Sequence, residues 1–126
     1  MPITNYLRNE LLDAALGNVA YSTPTTVYMS LHSTLGNATT AGTELSGNNY
    51  SRQTATFGSA SNGIIATTAN IAFTANGGDW PKALSSEIYD ASTGGNRLFY
   101  GKIVPKTLLN GETVTFLAGD VKISLT

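Results

Sequence analysis

The chain contains no cysteine. Disulfides and thiolate metal sites are therefore excluded, and stability must come from burial, hydrogen bonding and association, as suits folding in a reducing compartment. Charge is scarce as well. Asp, Glu, Lys and Arg make up 12% of the 126 residues, about half the usual share of ~25%. Seven basic and eight acidic side chains leave a formal charge of −1 and form no run of either sign, so nothing stands ready to neutralise a row of phosphates. Nucleic acid is not an expected direct partner. Long apolar runs are missing too: no stretch approaches the roughly 18 residues of a membrane span. The opening MPITNYLRNELLDAALG lacks the basic start and continuous apolar core of a secretory signal. The expectation is a soluble protein made in the cytoplasm, with no membrane partner.

Histidine occurs once, as His32, with no HxxxH or HxH spacing and no acidic neighbour in sequence, which predicts a surface or interface histidine rather than a ligand or general base. Serines occur without a GxSxG elbow, and the glycine pairs make neither GxGxxG nor a phosphate loop. No DxDxDG-like calcium loop is present. Catalytic residues, metal sites and cofactors are accordingly not expected. What fills the chain is Ser, Thr, Asn and Gly around a 41% hydrophobic share. Such a neutral polar surface repels itself weakly, which favours a protein that stays in contact with its own copies or with a larger assembly.

The length suits one domain spanning residues 1–126. Its hydrophobic period changes once. Residues 4–16 read as a helical arm: Thr4 is a fair N-cap, Leu7, Leu11 and Ala15 recur every fourth residue, Leu12 and Leu16 widen the stripe, and Gly17 is a natural C′ stop. A helix of this length is marginal alone in water, so the stripe must lie against its own domain or a neighbouring subunit. From residue 26 onward the chain turns β. VYMSLH alternates, with Val27, Met29 and Leu31 on one side and Tyr28, Ser30 and His32 on the other, and VKISL groups Val121, Ile123 and Leu125. Between them lie SRQTATFG, GIIATTANIAFTA, LSSEIYDA, RLFYGKI and TVTFLA, each bounded by Gly, Asn or Ser clusters. Seven or eight such strands predict an all-β fold, an antiparallel two-layer β-sandwich, jelly-roll-like, over residues 26–126, with residues 33–49 as a long surface loop, contact arm or mobile segment.

Within SEIYDASTGGNRLFYGKI the STGG signal predicts a hairpin that pairs Ile88 and Tyr89 with Leu98, Phe99 and Tyr100. Glu87 and Asp90, three apart on an extended strand, fall on opposite faces and read as solvated positions rather than cooperating carboxylates. Trp80, flanked by GGD and Pro81, either caps one end of the sandwich or stands exposed as an anchor for a partner protein or a sugar. Arg52 reads as a strand-edge charge or an intersubunit pair.

The order of these pieces resembles a known family. The helical start ending in LG, then TPTTVYMSLH, GTELSGNNYSRQ with Glu44, Tyr50 and Arg52, NIAFTANGGDW, EIYDASTGGNRLFYGKI and the closing VTFLAGDVKISLT are similar to small tailed-bacteriophage virion proteins often labelled structural or tail fibre proteins. The likeness covers almost the whole chain and departs from the family pattern at PKALSS after Trp80. It implies a non-enzymatic virion component, made in the host cytoplasm. A fibre shaft needs a repeat or coiled-coil stem, and the chain has neither. The sequence therefore favours a capsid decoration, or cement, protein: a homotrimer binding the major capsid protein at lattice junctions, located at the capsid surface rather than the tail. The expected interface is drawn from Leu7, Leu11, Glu44, Tyr50, Arg52 and Trp80. A compact tail, baseplate or fibre-associated subunit is the runner-up, and a host-surface glycan-binding module using Trp80 stands behind it.

Overall fold

In the computed structural model, residues 1–125 are described; Thr126, which ends the expected sandwich, lies outside them. Helix α1 spans Asn5–Leu16, and Thr4 caps it by accepting a hydrogen bond from the Leu7 N–H at 3.3 Å. The same hydroxyl donates to the Arg97 carbonyl at 2.7 Å, so the residue that starts the helix also staples it to a strand. The helix stop differs from expectation by one residue. Gly17 keeps a right-handed conformation, and Asn18 takes the left-handed one at φ 60°. The Val19 N–H then reaches back to the Asp13 carbonyl at 3.1 Å, the same carbonyl that accepts from the Gly17 N–H, so the last turn is closed by a wider bond than a Schellman stop, and the short asparagine side chain tolerates the left-handed position.

Eight antiparallel strands follow: β1 Val27–His32, β2 Gln53–Ala55, β3 Ile64–Ala66, β4 Ile71–Thr74, β5 Ala83–Tyr89, β6 Arg97–Lys106, β7 Thr113–Phe116 and β8 Lys122–Ser124. The main sheet has the order β2-β1-β5-β6, and β3–β8 and β4–β7 form two separate two-stranded ladders. The fold is therefore β-sandwich-like with one short N-terminal helix. Where a jelly roll has a second four-stranded sheet, the described residues form these two ladders instead.

The strand order follows from turn chemistry and alternation. Around the β5–β6 tip, the Asp90 side chain accepts from the Asn96 N–H at 2.7 Å and the Asp90 N–H donates to the Asn96 carbonyl at 3.1 Å, while Gly94 and Gly95 supply the positive φ the turn needs. The hairpin forms as the sequence predicts, with Ile88 opposite Phe99, but a register shift after Ile88 sets Tyr89 opposite Arg97, and Tyr100 falls opposite Glu87. One face of the sheet, with Met29, Leu31 and Ile88, packs against Phe73, Val114 and Ile123 from the ladders to make a single core cluster. Each fully buried side chain of this kind contributes about 1.5–3 kcal/mol.

The opposite face of the sheet is also buried, contrary to the half-buried strands expected. Ser30, His32, Ser85 and Glu87 are all excluded from solvent. The cause is the long loop 33–49, which is neither a free arm nor a bare excursion. Its return pairs along the end of β1 through Ser33 N–H to Thr43 and Leu45 N–H to Leu31, Leu45 is buried, and the intervening turn lies over the polar face, held by the Asn37 side chain.

Candidate functional site

Two constellations on this scaffold are the candidates for chemistry or recognition. The first is internal. Glu87 on β5 lies beneath the 33–49 loop with its carboxylate accepting from the Gly42 N–H at 3.2 Å, the Arg97 guanidinium at 3.3 Å and the Tyr89 hydroxyl at 3.0 Å. His32 Nε2 stands 3.3 Å from the same carboxylate and 2.7 Å from Ser30 Oγ, and Nδ1 donates to the Gly42 carbonyl at 3.0 Å. Glu87 and His32 are thus corrections: both were expected at the surface, and both are fully buried because the glycine-bearing loop folds over them. The loop can approach only because Gly36 and Gly42 have no side chain. A Cβ on Gly36 would strike the Glu87 carboxylate and one on Gly42 the Thr34 carbonyl.

Ser30, His32 and Glu87 bring the residue types of a nucleophilic triad together, but the wiring differs. In a working triad the acid orients Nδ1 and the nucleophile faces Nε2. Here serine and carboxylate share Nε2, Nδ1 is committed to a backbone carbonyl, and all three side chains are sealed from solvent. Chemically the cluster is a polar keystone that ties the loop to β1 and β5.

Next to it, Arg52 on the approach to β2 grips Glu44 with two hydrogen bonds of 3.0 Å, donates to the Ala91 and Gly94 carbonyls of the hairpin tip at 2.9 and 2.8 Å, and lies 3.6 Å over the Tyr89 ring. Burial pushes the Glu44 carboxyl up, but hydrogen bonds from Arg52 and Tyr50 and the Arg52 charge outweigh it and hold the group below the usual range. The Tyr50 hydroxyl donates to Glu44 at 2.7 Å and accepts from the Leu31 N–H at 3.0 Å. Its ring meets Trp80 edge-on at 5.5 Å, and the Trp80 indole N–H donates to the Asn48 carbonyl at 2.8 Å. Four of the six expected interface residues, Glu44, Tyr50, Arg52 and Trp80, therefore come together, but as an internal brace. Trp80 is 4% exposed, so it fills the core rather than presenting an anchor.

The second constellation is on the surface. Leu7 is buried under α1, but the stripe it begins is not covered: Leu11, Leu12 and Leu16 are 36%, 58% and 79% exposed. The helix therefore packs by its first turn alone, leaving the wider stripe that was expected to lie against a body. At the other end of β6, Gly101, Lys102, Ile103 and Lys106 border a cleft of about 540 Å³ floored by Met29, Val114, Phe116 and Val121. Among the described residues no group of three or more His, Asp or Glu side chains is placed to hold a metal ion, and no helix is long and apolar enough to cross a membrane.

The sequence model of the family described as podophage GP4 fiber I protein gp80 matches residues 2–124. The chain belongs to the Gp80 family. A bacteriophage virion structural protein is therefore the setting for both constellations, in agreement with the resemblance carried by YMSLH, GTELSGNNYSRQ and IYDASTGGN. No curated protein matches the chain. Sequence reasoning on this Gp80-family chain missed Ser30, His32, Glu87, Tyr89 and Arg97 as one network. The available signal was the run of polar residues at every second position of two strands, Ser30 and His32 against Ser85 and Glu87, which pair directly in the β1–β5 register.

Proposed function

We propose that the protein is a non-enzymatic subunit of the fibre region of a podophage virion, a compact module that acts by packing into a larger assembly. The match to a family described as a fibre protein over nearly the whole chain carries this reading. The surface supports it. Few charges and an uncovered leucine stripe favour a chain that remains in contact with neighbours. The polar keystone contributes by holding the 33–49 loop and the hairpin tip in one conformation, so that neighbours meet a preformed surface and the ordering cost of assembly falls. No catalytic role is part of the proposal, because the sole histidine and its serine are sealed.

A second reading, capsid decoration at junctions of the major capsid protein, is favoured by the compact shape and by the lack of any shaft-forming repeat in the sequence. A homotrimer suits three-fold lattice points in that case. The glycan-reading module loses its motivation, since the ring meant to present the sugar platform is buried. Cryo-electron microscopy of the intact virion tests the proposal. Density for this fold at the tail fibres or their attachment ring is expected; density confined to the capsid lattice would overturn the fibre assignment in favour of decoration.

A further inference from the structure

We propose that a polar cavity of about 330 Å³, set between the start of α1, the apex of the 33–49 loop and the far side of the β5–β6 tip, binds one neutral pyranose ring. The inference goes beyond the packing role above and is independent of Trp80, whose ring is buried.

The Arg97 guanidinium carries it. The side chain is 10% exposed, yet among the described residues its one hydrogen bond runs from Nη1 to the Glu87 carboxylate at 3.3 Å. Arg52, the other guanidinium drawn into the fold, is fully engaged: Nε and both terminal nitrogens donate, to Glu44, Ala91 and Gly94. A guanidinium has five N–H donors, and buried donors are nearly always paired. Those left over on Arg97 are not sealed, because the one buried side-chain polar atom without a partner among the described residues is the Ser86 hydroxyl. Arg97 lines the cavity, which gives its unused N–H groups an opening.

The other walls offer both halves of a hydrogen bond. The Tyr6 N–H in the first turn of α1 and the Asn5 side-chain NH2 are donors without a partner among the described residues. The Asn96 side-chain oxygen and the Thr39 hydroxyl oxygen are free to accept. Hydroxyl groups, which donate and accept at once, answer such a mixture. Tyr6 is 37% exposed and lines the cavity, so its ring is available to the apolar C–H face of a sugar.

Charge decides against an anion. Arg97 is already offset by Glu87, and Asp90 grips Asn96 with bonds of 2.7 and 3.0 Å. Partial burial together with Glu10 and Asp90 raises the Tyr6 hydroxyl, which places both carboxylates near the cavity. Arg8, on the Asn5 side chain at 2.8 Å, is the other cation close by. Three carboxylates against two guanidiniums leave no positive excess for a phosphate or carboxylate to meet. The volume lies at the small end of ligand pockets, which begin near ~300 Å³, and suits a single ring. Its walls are held in place by the Asn5 N–H on the Ala38 carbonyl at 2.9 Å, the Thr4 hydroxyl on the Arg97 carbonyl at 2.7 Å, and the Asn37 side chain on the Thr39 N–H at 2.9 Å. A ligand therefore meets a preformed site, which keeps the ordering cost of binding low.

Amide NMR of the full chain, titrated with the methyl pyranosides of glucose, galactose, mannose and N-acetylglucosamine, tests this. At least one glycoside is expected to shift the Tyr6, Thr39 and Asn96 amides and the Arg97 Nε–H saturably in the millimolar range. Tyr6→Ala and Arg97→Lys should each weaken that binding about tenfold; lysine keeps the charge opposite Glu87 but loses the guanidinium fork. Circular dichroism reports whether each variant is folded, and Asn5→Ala replaces Arg97→Lys if that one is not. Binding of the free sugar as well as its glycoside marks a soluble ligand, and binding of the glycoside alone marks the end of a chain; both support the pocket. No saturable shift from any glycoside, shifts that map elsewhere, unchanged binding in the variants, or tighter binding of glucuronate than of methyl glucoside would each overturn the proposal. None of these results bears on the virion-subunit reading, which electron microscopy of the virion decides.

Discussion

Replacing Glu87 with glutamine removes one charge without changing the shape of the core. The carboxylate serves Arg97, Gly42 and Tyr89 and lies beside His32. A glutamine can keep its carbonyl toward Gly42 and Arg97 only by turning its NH2 toward Tyr89, whose hydroxyl must then rotate to accept. The Arg97 guanidinium, with its side chain 10% exposed, is left without its counter-charge. Removing one partner of a buried pair costs about 3–5 kcal/mol, and the adaptable Tyr89 hydroxyl places this case near about 3 kcal/mol. That is a large part of the ~5–15 kcal/mol available to a small domain and corresponds to a fall in Tm of roughly 10 °C. Urea unfolding followed by the emission of the single tryptophan, buried as Trp80, reads it directly. The midpoint should fall with the slope unchanged. A loss below about 1 kcal/mol would show that Arg97 is satisfied without Glu87 and that the network is not what holds the loop.

Gly36→Ala and Gly42→Ala should each destabilise the fold by about 1–3 kcal/mol in the same assay, since their new methyl groups meet the Glu87 carboxylate and the Thr34 carbonyl. Leu7→Ala should cost about 2–5 kcal/mol, whereas Leu16→Ser should stay within about 0.5 kcal/mol in dilute monomer, because one residue is buried and the other is mostly exposed. Burial and the neighbouring Glu87 carboxylate push the Tyr89 hydroxyl up to about 12, and burial with the Glu44 hydrogen bond raises Tyr50 further. Both folded values lie above the unfolded value of ~10, so their contribution is intact below pH 10 and is lost as pH rises through the folded values. Phenolate absorbance should therefore appear for these two tyrosines only with loss of near-ultraviolet circular dichroism. For Glu44 the folded value is depressed, so its contribution is present above its unfolded value and fades as pH falls through the folded one. Arg52→Gln should reduce the stability lost between pH 5 and pH 3, measured by urea unfolding at each pH.

The sequence alone determined the elements, because each has a local cause. Thr4 caps α1, alternation writes β1 and β8, and STGG turns β5 into β6. Most strands and the sandwich class were legible for that reason, as was family membership, which rests on ordered motifs, whereas GIIATTANIAFTA, read as one run, is two strands that pair in different ladders. The tertiary structure decided which side chains those elements hide. His32 and Glu87 are 55 positions apart in the chain, so nothing local shows that the β1–β5 ladder sets Ser30 directly against Glu87 and His32 against Ser85. Nor does a glycine-rich polar segment announce that it will fold back and seal them, since Gly36 and Gly42 matter only through a carboxylate and a carbonyl that approach from elsewhere. Trp80 and Arg52 met their partners the same way, through space rather than along the chain. Periodicity records which residues share a face, but burial depends on whether another segment covers that face, and covering is a long-range event. The leucine stripe of α1 shows this most plainly: the sequence specified an apolar face, and the fold left most of it uncovered.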